Sequence, residues 1–140
     1  MKTILILEDD LDLASHWRMW LEGAGHRVIH QTDVKGAIHV VDSREIDLVI
    51  CDILIGNHTA GFSTQGGLSM LSHIMLHTSP RPKSLIITGA KPSLSIDRHV
   101  QLLKADRFVS KPISEGSMLA EVSQLLTQPK QTSNDPPGAY

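Results

Sequence analysis

Residues 4–10 read ILILEDD: four aliphatic side chains without a polar interruption, then three carboxylates in a row. A half-exposed strand alternates apolar and polar residues, because successive side chains point to opposite faces. A run that is apolar at every position is instead buried on both faces, as in a parallel sheet covered by helices. Similar runs recur as RVIH at 27–30, DLVIC at 47–51, SLIIT at 84–88 and RFVS at 107–110. Between them the apolar residues fall three and four apart, the spacing of one helix face. The first stripe holds Leu13, Trp17, Trp20, Leu21 and Ala24, with Gly25 as its stop. Val34, Ala37, Ile38 and Val41 make the second; Leu68, Leu71, Ile74 and Met75 make the third, ending near Pro80. A weaker fourth runs through Ile96, Val100 and Leu103, and a fifth through Met118, Leu119, Val122, Leu125 and Leu126. Five strands alternating with five helices predict a doubly wound α/β domain on a parallel sheet.

The composition bounds what such a domain can be. A chain of 140 residues holds one compact domain, and an apolar content of 41% is enough for a core. The 13 Lys and Arg against 15 Asp and Glu leave a net charge of −2, which argues against direct binding of nucleic acid. Cys51 is the single cysteine, so no internal disulfide forms, which fits a reducing compartment. The apolar run at 4–7 is too short for a signal-peptide core or a membrane span. The expectation is a soluble cytoplasmic protein without a membrane partner. Two segments break the pattern. GNHTAGFSTQGG at 56–67 reads as a long loop, and QPKQTSNDPPGAY at 128–140 cannot bury a core. The domain is therefore expected over residues 1–127, followed by a disordered tail over 128–140.

In a doubly wound sheet, ligands bind outside the carboxyl ends of the strands. The residues at those ends are Glu8, Asp9 and Asp10 after the first run, Asp52 after the third, Thr88 at the fourth, and Lys111 and Pro112 after the fifth. Carboxylates held close together repel unless a cation sits among them. Oxygen donors without His or Cys favour Mg²⁺, or Mn²⁺, over zinc. Such an ion screens an incoming phosphoryl group, Lys111 neutralises one of its oxygens, and Thr88 donates to another. Asp52, central between the acid pair and the Thr/Lys side, suits the part of a carboxylate nucleophile. Each residue alone has an ordinary reading: an acidic helix start with Asp10 as N-cap, a turn-forming Asp, a strand exit at Thr88. Their joint occurrence, each at the right strand end, is what points to chemistry.

The motifs ILILEDD, VICDIL, GGLSML, LIITGA and ADRFVSKPI, in this order, resemble the receiver domains of two-component response regulators over about residues 2–127. The resemblance implies the flavodoxin-like version of the fold. It also implies that Glu8 and Asp9 hold the metal, with Asp52 and the backbone carbonyl of Leu54 as further ligands. Asp52 would be the phosphoacceptor, Lys111 its catalytic partner, Thr88 the switch hydroxyl and Phe108 the switch aromatic. From its residues alone, Phe108 reads equally well as a core aromatic. The family further implies a cis Lys111–Pro112 bond and a chain that catalyses its own phosphorylation and dephosphorylation rather than acting as a conventional enzyme. The expected partners are a histidine kinase or phosphotransfer protein and a downstream protein target. These are met by the face around 96–103, the strand at 107–110 and the last helix, in a monomer or weak dimer.

Some positions depart from the family pattern. The loop after Asp52 is longer than usual, Gly56 replaces the customary proline, and His58 reads as a solvated loop residue. Leu54 and Ala90 are apolar where the family tunes water attack, which predicts a long-lived phosphorylated state. Gly89 should leave the site open to a phosphodonor, and the stretch after Pro92 should be the most mobile helix. His73 and His77 stand one helical turn apart, a metal-compatible spacing that lacks a third ligand in sequence. Two alternatives remain: an interaction module that keeps the fold without phosphorylation, and a flavin- or nucleotide-binding domain. The second would need a phosphate-cradling loop where acids stand. Trp17 and Trp20, in the first helix, are expected to report on the pocket only weakly.

Overall fold

Backbone hydrogen bonds in the computed structural model draw all five apolar runs into one parallel sheet. The structure describes residues 1–52, 65–89 and 105–130. The strands are β1 (Thr3–Leu7), β2 (Arg27–Gln31), β3 (Leu48–Cys51), β4 (Lys83–Thr88) and β5 (Arg107–Ser110), in the order β2-β1-β3-β4-β5. Four helices lie within the described residues: α1 (Leu11–Gly23), α2 (Val34–Ser43), α3 (Gln65–His77) and α4 (Glu115–Leu126). The expected helix through Ile96, Val100 and Leu103 lies outside them, as do Leu54, Gly56, His58, Ala90, Pro92 and residues 131–140.

Alternation of side chains along the strands divides the core in two. Leu5, Leu7, Val49, Cys51 and Ile86 face α2 and α3, meeting Ala37, Val40, Val41, Met70, Leu71 and Ile74. Ile4, Ile6, Leu48, Ile50, Leu85 and Ile87 face α1 and α4, meeting Ala14, Trp17, Leu21, Met118, Val122 and Leu125. Ile4, Leu5, Ile6 and Leu7 are all fully buried, as an uninterrupted aliphatic run requires. Only the central strands reach that state. Arg107, Phe108 and Ser110 are exposed in β5, and Arg27 in β2, because both strands lie at the sheet edges.

Local chemistry sets the helix starts. The Asp10 side chain accepts from Leu13 N, that of Asp33 from Gly36 N, and that of Ser114 from Ser117 N, each filling an orphan donor of a first turn. After α1 the chain reverses at Gly25, whose φ of 94° suits glycine. At the amino-terminal edge of the sheet, Asp47 accepts from Thr3 N at 2.9 Å and pairs with Lys130 at 3.2 Å, tying residue 130 to the domain. Among the described residues, no helix is long and apolar enough to cross a membrane.

Candidate functional site

Register, rather than loop conformation, gathers the site. Leu7 pairs with Cys51, so the next residues, Glu8 and Asp52, leave adjacent strands at the same level. The Asp52 amide donates to the Leu7 carbonyl at 3.3 Å, and the Glu8 amide to the Gln31 carbonyl at 3.2 Å. Thr88 pairs with Ser110, which places Lys111 one step beyond the sheet beside Gly89. The sheet order puts β3 between β1 and β4, and β1 is where strand order reverses, the crevice position of a doubly wound fold.

One ammonium joins these strand ends. Lys111 Nζ lies 2.7 Å from Asp52 Oδ2 and 3.1 and 3.3 Å from Glu8 Oε1 and Oε2. The Glu8 side chain is 1% exposed and that of Asp52 7%, whereas Lys111 keeps 21% of its side chain open to solvent. Burial pushes the Glu8 carboxyl up from 4.5 to about 7; Lys111 pulls it back and the Asp52 charge adds to the rise. Burial alone would lower the Lys111 pKa, but the hydrogen bond and charge of Asp52, then those of Glu8, hold it above 10.5. Lys111–Pro112 is a cis peptide, as expected, and Ser79–Pro80 is a second that the sequence did not announce.

Asp9 follows Glu8 and is half-buried, and Asp10 caps α1 rather than entering the site. Thr88 closes β4. Phe108 points to solvent with 40% exposure, so it is not a core aromatic in this state. Cys51 is fully buried, and burial, reinforced by the Asp52 and Glu8 charges, pushes its thiol up to about 12. That makes it an inert apolar filler. Among the described residues, a Cβ at Gly89 would meet only the Lys111 stem at 3.8 Å, an ordinary contact.

Sequence reasoning missed two neighbours of the site. His30, one residue before the end of β2, has Nε2 2.8 Å from the Glu8 carbonyl oxygen, which can only accept; the ring therefore donates from Nε2. The Lys111 ammonium also lies over the Trp17 ring, 5.7 Å from its centroid. In the second cluster the fold brings Asp42 of α2 to His73, at 2.7 Å, with the His77 ring 5.2 Å beyond. Among the described residues, no three His, Cys, Asp or Glu groups already converge on a point that could hold a metal.

The donor set at the strand ends nonetheless suits a hard divalent cation. Glu8 and Asp52 are buried carboxylates that share the Lys111 ammonium, and half-buried Asp9 adds a third carboxylate at the same strand end. Their donors are all oxygen, as Mg²⁺ and Mn²⁺ prefer. The upward push on Glu8 comes chiefly from its burial, with the Asp52 charge a smaller addition.

A family model described as the response regulator receiver domain matches residues 4–123. The chain is 27% identical over 132 residues to the regulatory protein VanR of Enterococcus faecium, covering 93% of this chain and 52% of that one. It is 26% identical over 129 residues to a probable transcriptional regulator, ycf29, of Cyanophora paradoxa, covering 91% and 58%. Thus it spans little more than half the length of these curated relatives. In three dimensions it resembles the CheY-like response regulator receiver domain protein of Methanospirillum hungatei, with a TM-score of 0.76 at 22% identity over 91% of this chain and 94% of that one.

Proposed function

Because the chain belongs to the response regulator receiver family, and so to two-component signalling, we propose that it is a phosphoryl-accepting switch with Asp52 as acceptor. The observation that carries this reading is the single ammonium of Lys111 bridging Asp52 and Glu8 across the rim of the sheet. An Asp carboxylate in this position is the nucleophile. Its oxygen forms the new bond to phosphorus as the donor's phosphorus–nitrogen bond breaks, and the donor histidine leaves with the bond's electron pair. Lys111 holds the Asp52 carboxylate in place before transfer and neutralises a phosphoryl oxygen after it. Glu8, Asp9, Asp52 and the Leu54 carbonyl would hold Mg²⁺ or Mn²⁺. When bound, that ion supplies charge screening for the phosphoryl oxygens.

Thr88 is proposed as the switch hydroxyl, and the exposed Phe108 as the aromatic whose rotamer balance follows it. The phosphodonor is a histidine kinase or phosphotransfer protein, and the output is a contact with a downstream protein at the β5–α4 side. The receiver domain is assigned to residues 1–127, acting in the cytoplasm. Beryllofluoride, a phosphoryl mimic, gives a direct test when added with Mg²⁺. NMR shifts should spread from Asp52 and Lys111 to Phe108 in the wild type and vanish in Asp52→Ala. Equal shifts in that variant would refute the assignment and leave a phosphorylation-independent interaction module in its place.

A further inference from the structure

The Lys111 ammonium has three N–H donors, and it lies within hydrogen-bond distance of Asp52 Oδ2 and both Glu8 oxygens. It has a further neighbour that takes no donor. The Trp17 ring lies below it, 5.7 Å from nitrogen to centroid, within the range where an indole face attracts a cation. Trp17 is fully buried in the core between the sheet, α1 and α4. Its Nε1 is buried too and has no hydrogen-bond partner among the described residues. A buried indole ordinarily finds a partner for that N–H, and a leucine would fill an apolar site without leaving one unmet. The ring face turned to a charged group is what the indole supplies and leucine would not.

We infer that Trp17 is a positioning residue for phosphoryl transfer, its indole face holding the Lys111 ammonium at the acceptor carboxylate. This inference rests on the function proposed above. Transfer requires Lys111 to exchange carboxylate oxygens for phosphoryl oxygens. A partner that attracts the charge without occupying an N–H keeps the ammonium in place through that exchange. The aliphatic or ring contacts of a simple core residue would not distinguish the charged side chain from a neutral one.

A double-mutant cycle tests this on the full chain. Phosphorylation by acetyl phosphate with Mg²⁺ is timed by intact mass for Trp17→Phe and Trp17→Leu, each with Lys111 intact and in Lys111→Met. Loss of the ring face in Trp17→Leu should slow transfer on the order of tenfold when Lys111 is present, and Trp17→Phe only a few-fold. In Lys111→Met neither change should have a further effect. Equal slowing in both backgrounds would mean a structural role and overturn the inference. A wild type that gains no phosphoryl group at all would instead overturn the functional reading itself. Should Trp17→Leu not fold, Trp17→Phe completes the cycle. Fluorescence of the Trp20→Phe chain gives a second readout: the Trp17 emission should shift when Lys111 becomes Met, and an unchanged spectrum would contradict the contact.

Discussion

At Lys111 a side chain 103 residues from Glu8 and 59 from Asp52 in sequence bonds to both. It could be picked out in the sequence only together with Glu8, Asp9, Asp52 and Thr88 at the other strand ends, since a lysine–proline pair alone says almost nothing. Its contact with Trp17 was not legible, since the stripe Leu13, Trp17, Leu21 is explained fully by core packing. Only the relative placement of α1 and β5 turns one face of a core tryptophan towards a charge. Replacing Lys111 by Met should slow phosphorylation by acetyl phosphate at least tenfold, because a charge-assisted hydrogen bond of about 1.5–3 kcal/mol is lost; a rate within twofold of wild type would contradict its role. Cys51, buried and with its thiol pushed up to about 12, should resist alkylation in the native protein and react after denaturation. Timed labelling followed by mass spectrometry checks this.

Among the elements, the central strands were the most readable. ILIL and LVIC are apolar at every position because both their faces are covered, and no polar residue could stand there unpartnered. RFVS was less readable: at the sheet edge Arg107 turns outward to a bidentate pair with Glu121 of α4, at 2.8 Å for both bonds. The run looks like the others only because it is short. Asp10 was read correctly as a cap, and Asp10→Ala should destabilise the protein by about 1 kcal/mol in denaturant unfolding. Asp47 carried no signal, since its use at the amino-terminal edge depends on Thr3 and Lys130, both remote in sequence. Burial raises its carboxyl, but the Thr3 amide and Lys130 outweigh it and hold the pKa below 3.8. A depressed carboxylate stabilises the fold above its unfolded value, and that contribution is lost as pH falls through the folded one. Asp47→Ala should therefore be less stable than wild type by about 1–2 kcal/mol at neutral pH. The gap should narrow as the pH drops below 3.8 in urea unfolding measured across that range; a gap that does not change with pH would contradict the pairing.

For the molecule as a whole, the sheet order decides what the chain can do. Placing β3 between β1 and β4 sets Asp52 at the centre of a rim formed by four strand ends. The alternating pattern predicted a doubly wound sheet, and its strand order is supplied by the fold. Of the residues the sequence placed at this rim, Glu8, Asp52 and Lys111 meet in the fold, whereas the stretches 53–64 and 90–104 lie outside the described residues. The apolar Leu54 and Ala90 cannot orient water by a side-chain hydrogen bond. The acyl phosphate should therefore be lost slowly in Mg²⁺ buffer, and polar replacements at these positions should speed its loss, as followed by mass over time. The central claim, that Asp52 accepts a phosphoryl group with help from a divalent ion, is tested most directly by intact mass after incubation with acetyl phosphate. One phosphoryl group should be gained by the wild type in Mg²⁺, and none by Asp52→Ala or by the wild type in chelator. A wild type that gains nothing, or an Asp52→Ala chain modified to the same extent, would contradict it.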